Sequence, residues 1–157
     1  MRDIPRQIHP EAVLRVLKEK AEVVFGPLPV DAAYVYGSVA TGPVHPFSDM
    51  DVALLLDEEV FRRLSSYERL QLEVTVELRI ADLCGIDYAD VRIVNDAPIA
   101  WRGAVVSRGL CIYSRNENHR IEFETRSRKE YFDFQPVLEM MHQASLARLR
   151  EEFRAHG

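Results

Sequence analysis

The spacing of apolar residues along the first part of the chain predicts a helix followed by two strands. Between residues 10 and 26, apolar side chains recur every three or four positions, which is the period of an amphipathic helix. Residues 31–36 form a short β-prone run, and residues 52–56 form an unbroken apolar run of the kind found in buried strands. Two prolines and no periodicity between residues 43 and 48 predict a loop that leads into the second strand.

The middle of the chain continues this alternation of helices and strands. Residues 58–84 end before Gly85 and carry apolar side chains mostly three or four positions apart, which predicts one long or broken helix. These apolar positions are Leu64, Tyr67, Leu70, Val74, Leu78 and Ala81. Residues 90–94 predict a third strand, and residues 95–98 then offer an N-cap and an early proline for a helix that ends near Gly109.

The last part of the chain predicts one more short strand and then helices. Residues 110–113 form the strand, a charged helical stretch follows Asn116, and Pro136 opens a final amphipathic helix. We therefore expect an α/β fold with a core of about residues 31–114 and a C-terminal helical segment of about residues 117–156. All 157 residues fit a single domain, which at this size buries a core without disulfides or structural metals.

Composition and charge narrow the classes of function. With 47% apolar and 29% charged residues, the chain has the balance of a soluble globular protein. Its net charge of -5 argues against a broad grip on DNA or RNA, which needs many Lys and Arg side chains. Small anionic ligands stay compatible with this charge, because a divalent metal held by carboxylates reverses the local sign of the field. The sequence shows no apolar segment typical of a leader or membrane span, and we expect a cytoplasmic protein.

Two short motifs place phosphate-binding and metal-binding side chains close together in the sequence. Gly37 and Ser38 end the first predicted strand, where glycine permits a tight turn and the N–H groups of a following short helix can hold phosphate oxygens. After ten intervening residues come Asp49 and Asp51, whose spacing of two at the entry to a strand points both carboxylates to one face. Such carboxylates, together with phosphate oxygens and water, are the ligands that Mg²⁺ prefers.

Each of these residues also has an ordinary structural interpretation. Ser48 and Asp49 could cap a turn or a helix, Gly37 could serve a hairpin, and Asp51 could face solvent on its strand. The combination nevertheless favours a site, because four fixed residues at fixed spacing arise by chance in roughly one chain of this length in several hundred.

The combination Gly37-Ser38, ten residues, Asp49-x-Asp51 resembles the signature of the DNA polymerase β nucleotidyltransferase superfamily, in its minimal nucleotidyltransferase branch. The other segments similar to this family are residues 95–98, 109–113 and 130–136, so that the resemblance covers most of residues 31–150. It implies a polymerase-β-like α/β (α+β) fold, in which helices flank a mixed central sheet and a helical extension follows at the C-terminus.

The resemblance also implies a third carboxylate on a later strand, and Asp90 occupies the corresponding position as a candidate general base. The residues implied for metal binding and catalysis are Asp49, Asp51 and Asp90, and those implied for nucleotide binding are Gly37, Ser38 and Ser48. Without the resemblance, a lone Asp before a strand is more often a turn or cap residue. Arg92 departs from the apolar residue expected at its position. It could pair with Asp90, meet a triphosphate, or be an edge-strand charge in solvent.

Minimal nucleotidyltransferases of this length, which the chain resembles, are often the antitoxin of a pair whose toxin is a HEPN-domain ribonuclease. The resemblance implies a Mg²⁺-dependent enzyme that transfers AMP from ATP to a tyrosine of the toxin. An acceptor supplied by a partner protein agrees with a chain that shows no obvious second substrate domain. Two alternatives stay open: transfer to a small hydroxylated acceptor, and an antitoxin that masks its toxin by contact without needing catalysis.

Other candidates carry less specific signals. The five histidines show no ligand spacing, and His45, which lies in the motif loop, could approach the nucleotide or be a surface residue. Basic residues between 115 and 129 alternate with glutamates, which indicates a solvated helix face or, alternatively, a partner surface. The aromatic segment 131–134 could either close the core or anchor a partner. Cys84 and Cys111 lack the spacing of zinc ligands or of a disulfide framework and suggest core thiols.

Overall fold

A four-stranded mixed sheet lies at the centre of the protein, with helices on both of its faces. The computed structural model describes residues 10–37 and 49–157. The strands are β1 (Val30–Tyr36), β2 (Met50–Leu56), β3 (Ala89–Ile93) and β4 (Leu110–Ser114). Their order in the sheet is β3-β2-β1-β4, where β1 is antiparallel to both β2 and β4, and β2 is parallel to β3. The prediction of a mixed central sheet is confirmed.

Helices cover the two faces of this sheet in separate groups. The helices of the described residues are α1 (Pro10–Glu19), α2 (Ala21–Phe25), α3 (Glu58–Arg63), α4 (Ser66–Cys84), α5 (Ile99–Arg108) and α6 (Glu117–Ala155). The single first helix predicted from the apolar period is divided at Lys20. Side chains from α1 to α4, such as Phe25 and Ile80, form the core on one face, and Val105 of α5 and Phe123 of α6 belong to the core on the other.

The two central strands are buried on both faces, as the unbroken apolar run of β2 predicts. Val52 and Leu54 belong to the core that α4 covers, and Ala53 and Leu55 belong to the core that α5 covers. Charged residues of β1 and β2 therefore occur only near the strand ends, where a side chain can reach solvent or a ligand.

Carboxylates of α4 cover the outer edge of β3. The backbone N–H groups of Val91 and Ile93 donate to Oε1 of Glu77 (3.0 Å) and Oε1 of Glu73 (2.9 Å). Because β3 is an edge strand, these bonds occupy donors with which another strand could otherwise pair. The side chains of Val91 and Ile93 point into the core beneath α4, so the residues that alternate with them lie on the opposite face of the sheet.

The helix predicted over residues 58–84 is broken, and most of the apolar residues whose spacing predicted it are exposed. A capping box starts α4: Ser65 Oγ accepts from the Glu68 N–H (3.2 Å), and Glu68 Oε2 accepts from the Ser65 N–H (2.7 Å). Val76 and Ile80 are the residues of α4 buried against the sheet. Between 43% and 68% of the surface is exposed at Tyr67, Leu70, Val74 and Leu78. The buried face of this helix therefore carries a different set of apolar residues from the set whose spacing predicted the helix.

Asn95 ties the loop after β3 to the end of β2 and does not cap α5. Its buried side chain accepts from the Leu56 N–H (2.8 Å) and donates to the Leu56 carbonyl (2.9 Å). Pro98 occupies the N-cap position of α5, which has no side-chain cap. The side-chain cap expected within residues 95–98 is therefore absent, because the amide of Asn95 serves the strand.

We expect Asn95→Ala to lower the free energy of unfolding by about 2–4 kcal/mol, because the buried N–H and C=O of Leu56 lose their partners. Denaturation by urea, followed by circular dichroism, measures this loss. Asp96→Ala is the matched control, since Asp96 is exposed and its ion pair with Arg69 spans 3.7 Å. We expect that control to change stability by less than about 0.5 kcal/mol. An equally small loss in Asn95→Ala would contradict the assigned role.

The C-terminal segment is one helix that continues through Pro136. The separate final helix predicted to begin at that proline is wrong, because α6 runs without a break through it. Proline is favoured in the first turn of a helix, which is the reason for the prediction, but here it lies in the helix interior, where it removes one N–H donor. In the described ranges, neither α6 nor any other helix is apolar enough over sufficient length to cross a membrane.

The first half of α6 packs closely on α5. At Gly103 a Cβ would overlap the ring of Tyr131, so glycine allows the two helices to approach. Arg102 Nη2 lies 2.7 Å from Oε2 of Glu130 and ties the same pair of helices together. Beyond this contact most side chains of α6 are exposed, including Phe132, Met140, Met141 and Phe153.

Candidate functional site

Three aspartates lie at the beginning of two neighbouring strands. Asp49 directly precedes β2, Asp51 is the second residue of β2, and Asp90 is the second residue of β3. In the parallel pairing of these strands, Asp51 and Asp90 are direct register partners. Adjacent strands lie about 4.8 Å apart. Since Val52 and Val91 face the core under α4, Asp51 and Asp90 stand side by side on the other face.

The charge around Asp51 is dominated by the other two carboxylates. Burial raises the pKa of Asp51 above its ordinary value, and the negative charges of Asp90 and Asp49 raise it further. Asp49 is exposed, while Asp51 and Asp90 are partly buried. Like charges at this separation repel each other, so binding of a cation would lower the free energy of the cluster.

The chemistry of the aspartate cluster suits a hard divalent cation. Carboxylate oxygens are the protein ligands that Mg²⁺ prefers, and water and substrate phosphates usually complete its coordination. Within residues 10–37 and 49–157, no group of three His, Cys, Asp or Glu side chains is arranged to hold a metal ion. Asp51 and Asp90 are neighbours on the sheet, so a Mg²⁺ ion bound there would take its further ligands from water and substrate phosphates.

Arg92 forms an ion pair with Asp90 at the edge of the cluster. Its Nε lies 3.2 Å from Oδ1 of Asp90, and the side chains are 56% and 40% exposed. Two of the interpretations weighed for Arg92 therefore hold together, since the residue pairs with Asp90 and is also an exposed charge on an edge strand. Exposed ion pairs contribute about 0–1 kcal/mol to stability, so the pair is easily exchanged for another partner.

A tight turn brings Gly37 against Asp51. Gly37 follows β1 with a φ of 77°, in the left-handed region that glycine adopts without strain. Tyr36, the last residue of β1, is the register partner of Asp51, so the turn lies next to this aspartate. A Cβ at Gly37 would overlap Oδ2 of Asp51. The backbone conformation therefore favours glycine, and a Cβ here would displace the Asp51 carboxylate. The other residues predicted from this loop, Ser38, His45 and Ser48, lie outside the described residues.

Two aromatic residues that the sequence analysis did not single out line the same face. The rings of Tyr36 and Trp101 meet edge to face, with centroids 5.8 Å apart and an interplanar angle of 67°. Burial raises the pKa of Tyr36 to about 12, and the charge of Asp51 contributes next. Tyr36 therefore keeps its proton at neutral pH. The alternation along β1 could have indicated Tyr36, but the position of Trp101 depends on how α5 packs.

The basic residues between 115 and 129 do not join the aspartates. Arg115 Nη1 donates to the Leu28 carbonyl (2.9 Å), and Arg128 Nη2 donates to the Val106 carbonyl (3.1 Å). These contacts hold α6 to the segments it crosses. This part of the basic cluster is therefore structural, in addition to being solvated.

Comparison with known families identifies the class of this protein. The model of the family described as "Polymerase beta, Nucleotidyltransferase" matches residues 17–118, which is more than half of the chain. The protein therefore belongs to the polymerase β nucleotidyltransferase family. No curated protein matches its sequence.

Solved structures with a similar fold include chains from toxin–antitoxin complexes. A chain from the complex of a tri-AMPylated Shewanella oneidensis HEPN toxin with MNT antitoxin is 16% identical, with a TM-score of 0.58 over 85% of this chain and 98% of that one. A chain from a toxin–antitoxin complex with AMP-PNP is 18% identical, with a TM-score of 0.56 over 88% and 99%. A chain from the MntA–HepT toxin–antitoxin complex is 15% identical, with a TM-score of 0.57 over 84% of this chain and 98% of that one. These similarities show a shared fold, and the predicted polymerase-β-like nucleotidyltransferase fold is confirmed.

Proposed function

We propose that this protein is a Mg²⁺-dependent adenylyltransferase that moves AMP from ATP to a tyrosine of a HEPN-domain toxin and so acts as the antitoxin. The observation that carries the proposal is the cluster of Asp49, Asp51 and Asp90 beside the Gly37 turn. Membership of the nucleotidyltransferase family supports the chemistry. The fold shared with antitoxin complexes, one of which contains a tri-AMPylated toxin, supports the choice of acceptor.

In the proposed reaction the three aspartates have different tasks. Asp49 and Asp51 would hold Mg²⁺, and the ion would supply Lewis-acid stabilisation of the charge on the α-phosphate and the leaving group. The phenol oxygen of the toxin forms a bond to the α-phosphorus, the bond from that phosphorus to the bridging oxygen breaks, and pyrophosphate leaves. Asp90, beside Asp51 on the next strand, also binds the metal and takes the phenol proton. Gly37, Ser38 and Ser48 are the proposed contacts to the nucleotide.

The exposed half of α6 is the proposed contact with the toxin. Phe132 is 73% exposed and Phe153 is 79% exposed, so neither side chain closes the core. Tyr131, in contrast, packs against Gly103 and belongs to the contact between α5 and α6. Exposed aromatic side chains are frequent hot spots in protein interfaces. We therefore infer that the segment of α6 after Tyr131 supplies the anchor for the partner.

The proposed function is tested by weighing the toxin after incubation with this protein, ATP and Mg²⁺. We expect whole AMP units to be added to the toxin, and we expect Asp49→Asn to abolish the addition. Asp82→Asn is the matched control, because Asp82 is exposed on α4 and does not belong to the cluster. If the wild-type protein and Asp49→Asn neutralise the toxin equally well, and the mass of the toxin does not change, the result would instead support a binding-only antitoxin. Transfer to a small hydroxylated compound, and not to the toxin, would support the other alternative.

Gly37→Ala should weaken nucleotide binding as well as stability. An alanine in the left-handed region costs roughly 1–2 kcal/mol, and its Cβ would displace the Asp51 carboxylate. Gly85→Ala is the matched control, since Gly85 has a φ of 69° but a Cβ there meets nothing within 4 Å. We expect that control to lose stability and to keep its affinity for a fluorescent ATP analogue. Equal affinities in the two variants would remove Gly37 from the nucleotide site.

A further inference from the structure

Three carboxylates and the guanidinium of Arg92 shape the electrostatic surroundings of Asp51 and Tyr36. Burial raises the pKa of Asp51, and the negative charges of Asp90 and Asp49 raise it further. Tyr36, the register partner of Asp51, is acted on by the negative charges of Asp51 and Asp90 and by the positive charge of Arg92. Among the described groups that act on these two residues, Arg92 is thus the single positive charge. A triphosphate brought to this face would add further negative charge.

The contact that holds Arg92 in place is weak enough to be exchanged. It joins Nε of Arg92 to one oxygen, Oδ1, of Asp90 at 3.2 Å. A guanidinium group carries five N–H donors and binds carboxylate or phosphate best through two parallel bonds. Both side chains are substantially exposed, so solvent screens the attraction between them. The present contact therefore uses only part of the binding capacity of Arg92.

A divalent cation bound by Asp90 would compete with Arg92 for this carboxylate. While the guanidinium pairs with Asp90, it neutralises part of the charge that would attract a metal ion, and it lies at an oxygen that a metal would use. Phosphate oxygens are strong alternative partners, because they offer a guanidinium charge-assisted bonds in a bidentate arrangement. Arrival of a triphosphate would thus move Arg92 away from Asp90 and free the carboxylate.

We propose that Arg92 is a triphosphate-binding residue that pairs with Asp90 in the empty site and releases this carboxylate to the metal when the nucleotide binds. The inference rests on the proposed function for the nature of the ligand, and it adds a residue that departs from the pattern of the family this chain resembles. It has a direct consequence for the order of binding. A metal ion that binds alone has to displace Arg92 from Asp90, whereas a metal ion that binds together with the nucleotide does not, because the triphosphate then holds Arg92.

The test measures Mn²⁺ binding by the electron paramagnetic resonance signal of the free ion, in the wild-type protein and in Arg92→Gln. Without nucleotide, we expect Arg92→Gln to bind Mn²⁺ about three- to fivefold more tightly, because the competing exposed ion pair is gone. With α,β-methylene-ATP, which cannot release pyrophosphate, we expect the analogue to bind about tenfold more weakly, because a charge-assisted phosphate contact is lost. Arg92→Lys is the matched control. It keeps the charge without the planar fork and should lie between the two in both measurements.

Changes of opposite sign are required by the proposal, and a structural role of Arg92 would not produce them. Weaker binding of both ligands, or unchanged affinity for the analogue, would overturn it. The proposed function fails separately, if the wild-type protein binds no Mn²⁺ or if Asp51→Asn leaves Mn²⁺ binding unchanged. Mn²⁺ binding that depends on Asp51, combined with an unaltered nucleotide affinity in Arg92→Gln, would contradict the inference about Arg92 alone.

Discussion

Asp51→Asn should reduce AMP transfer by roughly a thousandfold or more while the protein stays folded. The substitution removes a carboxylate from the centre of the cluster, where Asp51 lies between Asp49 and Asp90 and next to Gly37. Transfer from labelled ATP to the toxin, in the presence of Mg²⁺, measures the effect. Asp82→Asn, on the exposed face of α4, controls for the loss of one negative charge. Activity within a few fold of the wild type would rule out metal binding by Asp51.

The same substitution should stabilise the metal-free protein near neutral pH. Burial and two neighbouring carboxylates raise the pKa of Asp51 in the folded state above its ordinary value of 3.8. A carboxyl group with a raised folded pKa holds its proton more tightly in the folded than in the unfolded chain, so its favourable contribution exists at low pH and is lost as pH rises through the folded pKa. Asn carries no such penalty at neutral pH.

Urea denaturation in EDTA at a series of pH values tests whether Asp51→Asn is more stable than the wild type near neutral pH. We expect the difference in stability between Asp51→Asn and the wild type to favour the variant at pH 7, and to shrink as the pH falls through the raised pKa of Asp51. Added Mg²⁺ should then stabilise the wild type and not the variant, because a ligand that binds only the folded state shifts the equilibrium toward it. A variant less stable than the wild type at pH 7 would contradict the repulsion.

The candidate site could be predicted where neighbours in sequence are also neighbours in space. Asp49 and Asp51 are two residues apart at the start of a strand, and strand alternation alone indicates that they share a face. Asp90 required the family resemblance, because its place beside Asp51 depends on the parallel pairing of β2 with β3 across two intervening helices. Trp101 had no sequence signal, since it reaches the site only through the packing of α5 on the sheet.

The orientation of α4 shows what apolar periodicity alone does not determine. This helix has apolar residues on two sides, and the spacing of either set predicts a helix equally well. Contacts with the sheet show which face of the helix points inward. Glu73 and Glu77 accept hydrogen bonds from N–H groups at the edge of β3, and Val76 and Ile80 are buried. Glutamates on a helix usually indicate the solvated face, and here they bind a strand. Such a contact becomes visible only once the neighbouring strand is known.

A buried charge at the start of β1 joins the sheet to the start of α6. The side chain of Asp31 is 5% exposed, lies 3.2 Å from Nη2 of Arg115 and lies 2.7 Å from Nδ1 of His119. The backbone carbonyl of Asp31 also accepts from the N–H groups of Arg115 (2.8 Å) and Asn116 (3.3 Å). His119 is therefore part of an internal contact between β1 and α6.

Asp31→Ala should lower the free energy of unfolding by about 2–4 kcal/mol, because it removes the buried partner of the Arg115 guanidinium and of the His119 ring. Asp31→Asn keeps the volume and one acceptor, and its loss should be smaller. Glu59→Ala is the control, since its pair with Arg63 spans 3.9 Å between fully solvated side chains and should contribute less than about 0.5 kcal/mol. Denaturation curves compare the three variants, and a loss in Asp31→Ala no larger than that of the control would refute the role of the buried charge.

Since Asp31 lies at the end of β1 opposite to Gly37, transfer activity per folded molecule should remain close to that of the wild type. A fall in activity beyond the fall in folded fraction would mean that the anchoring of α6 also positions the site, through its contact with α5 and Trp101.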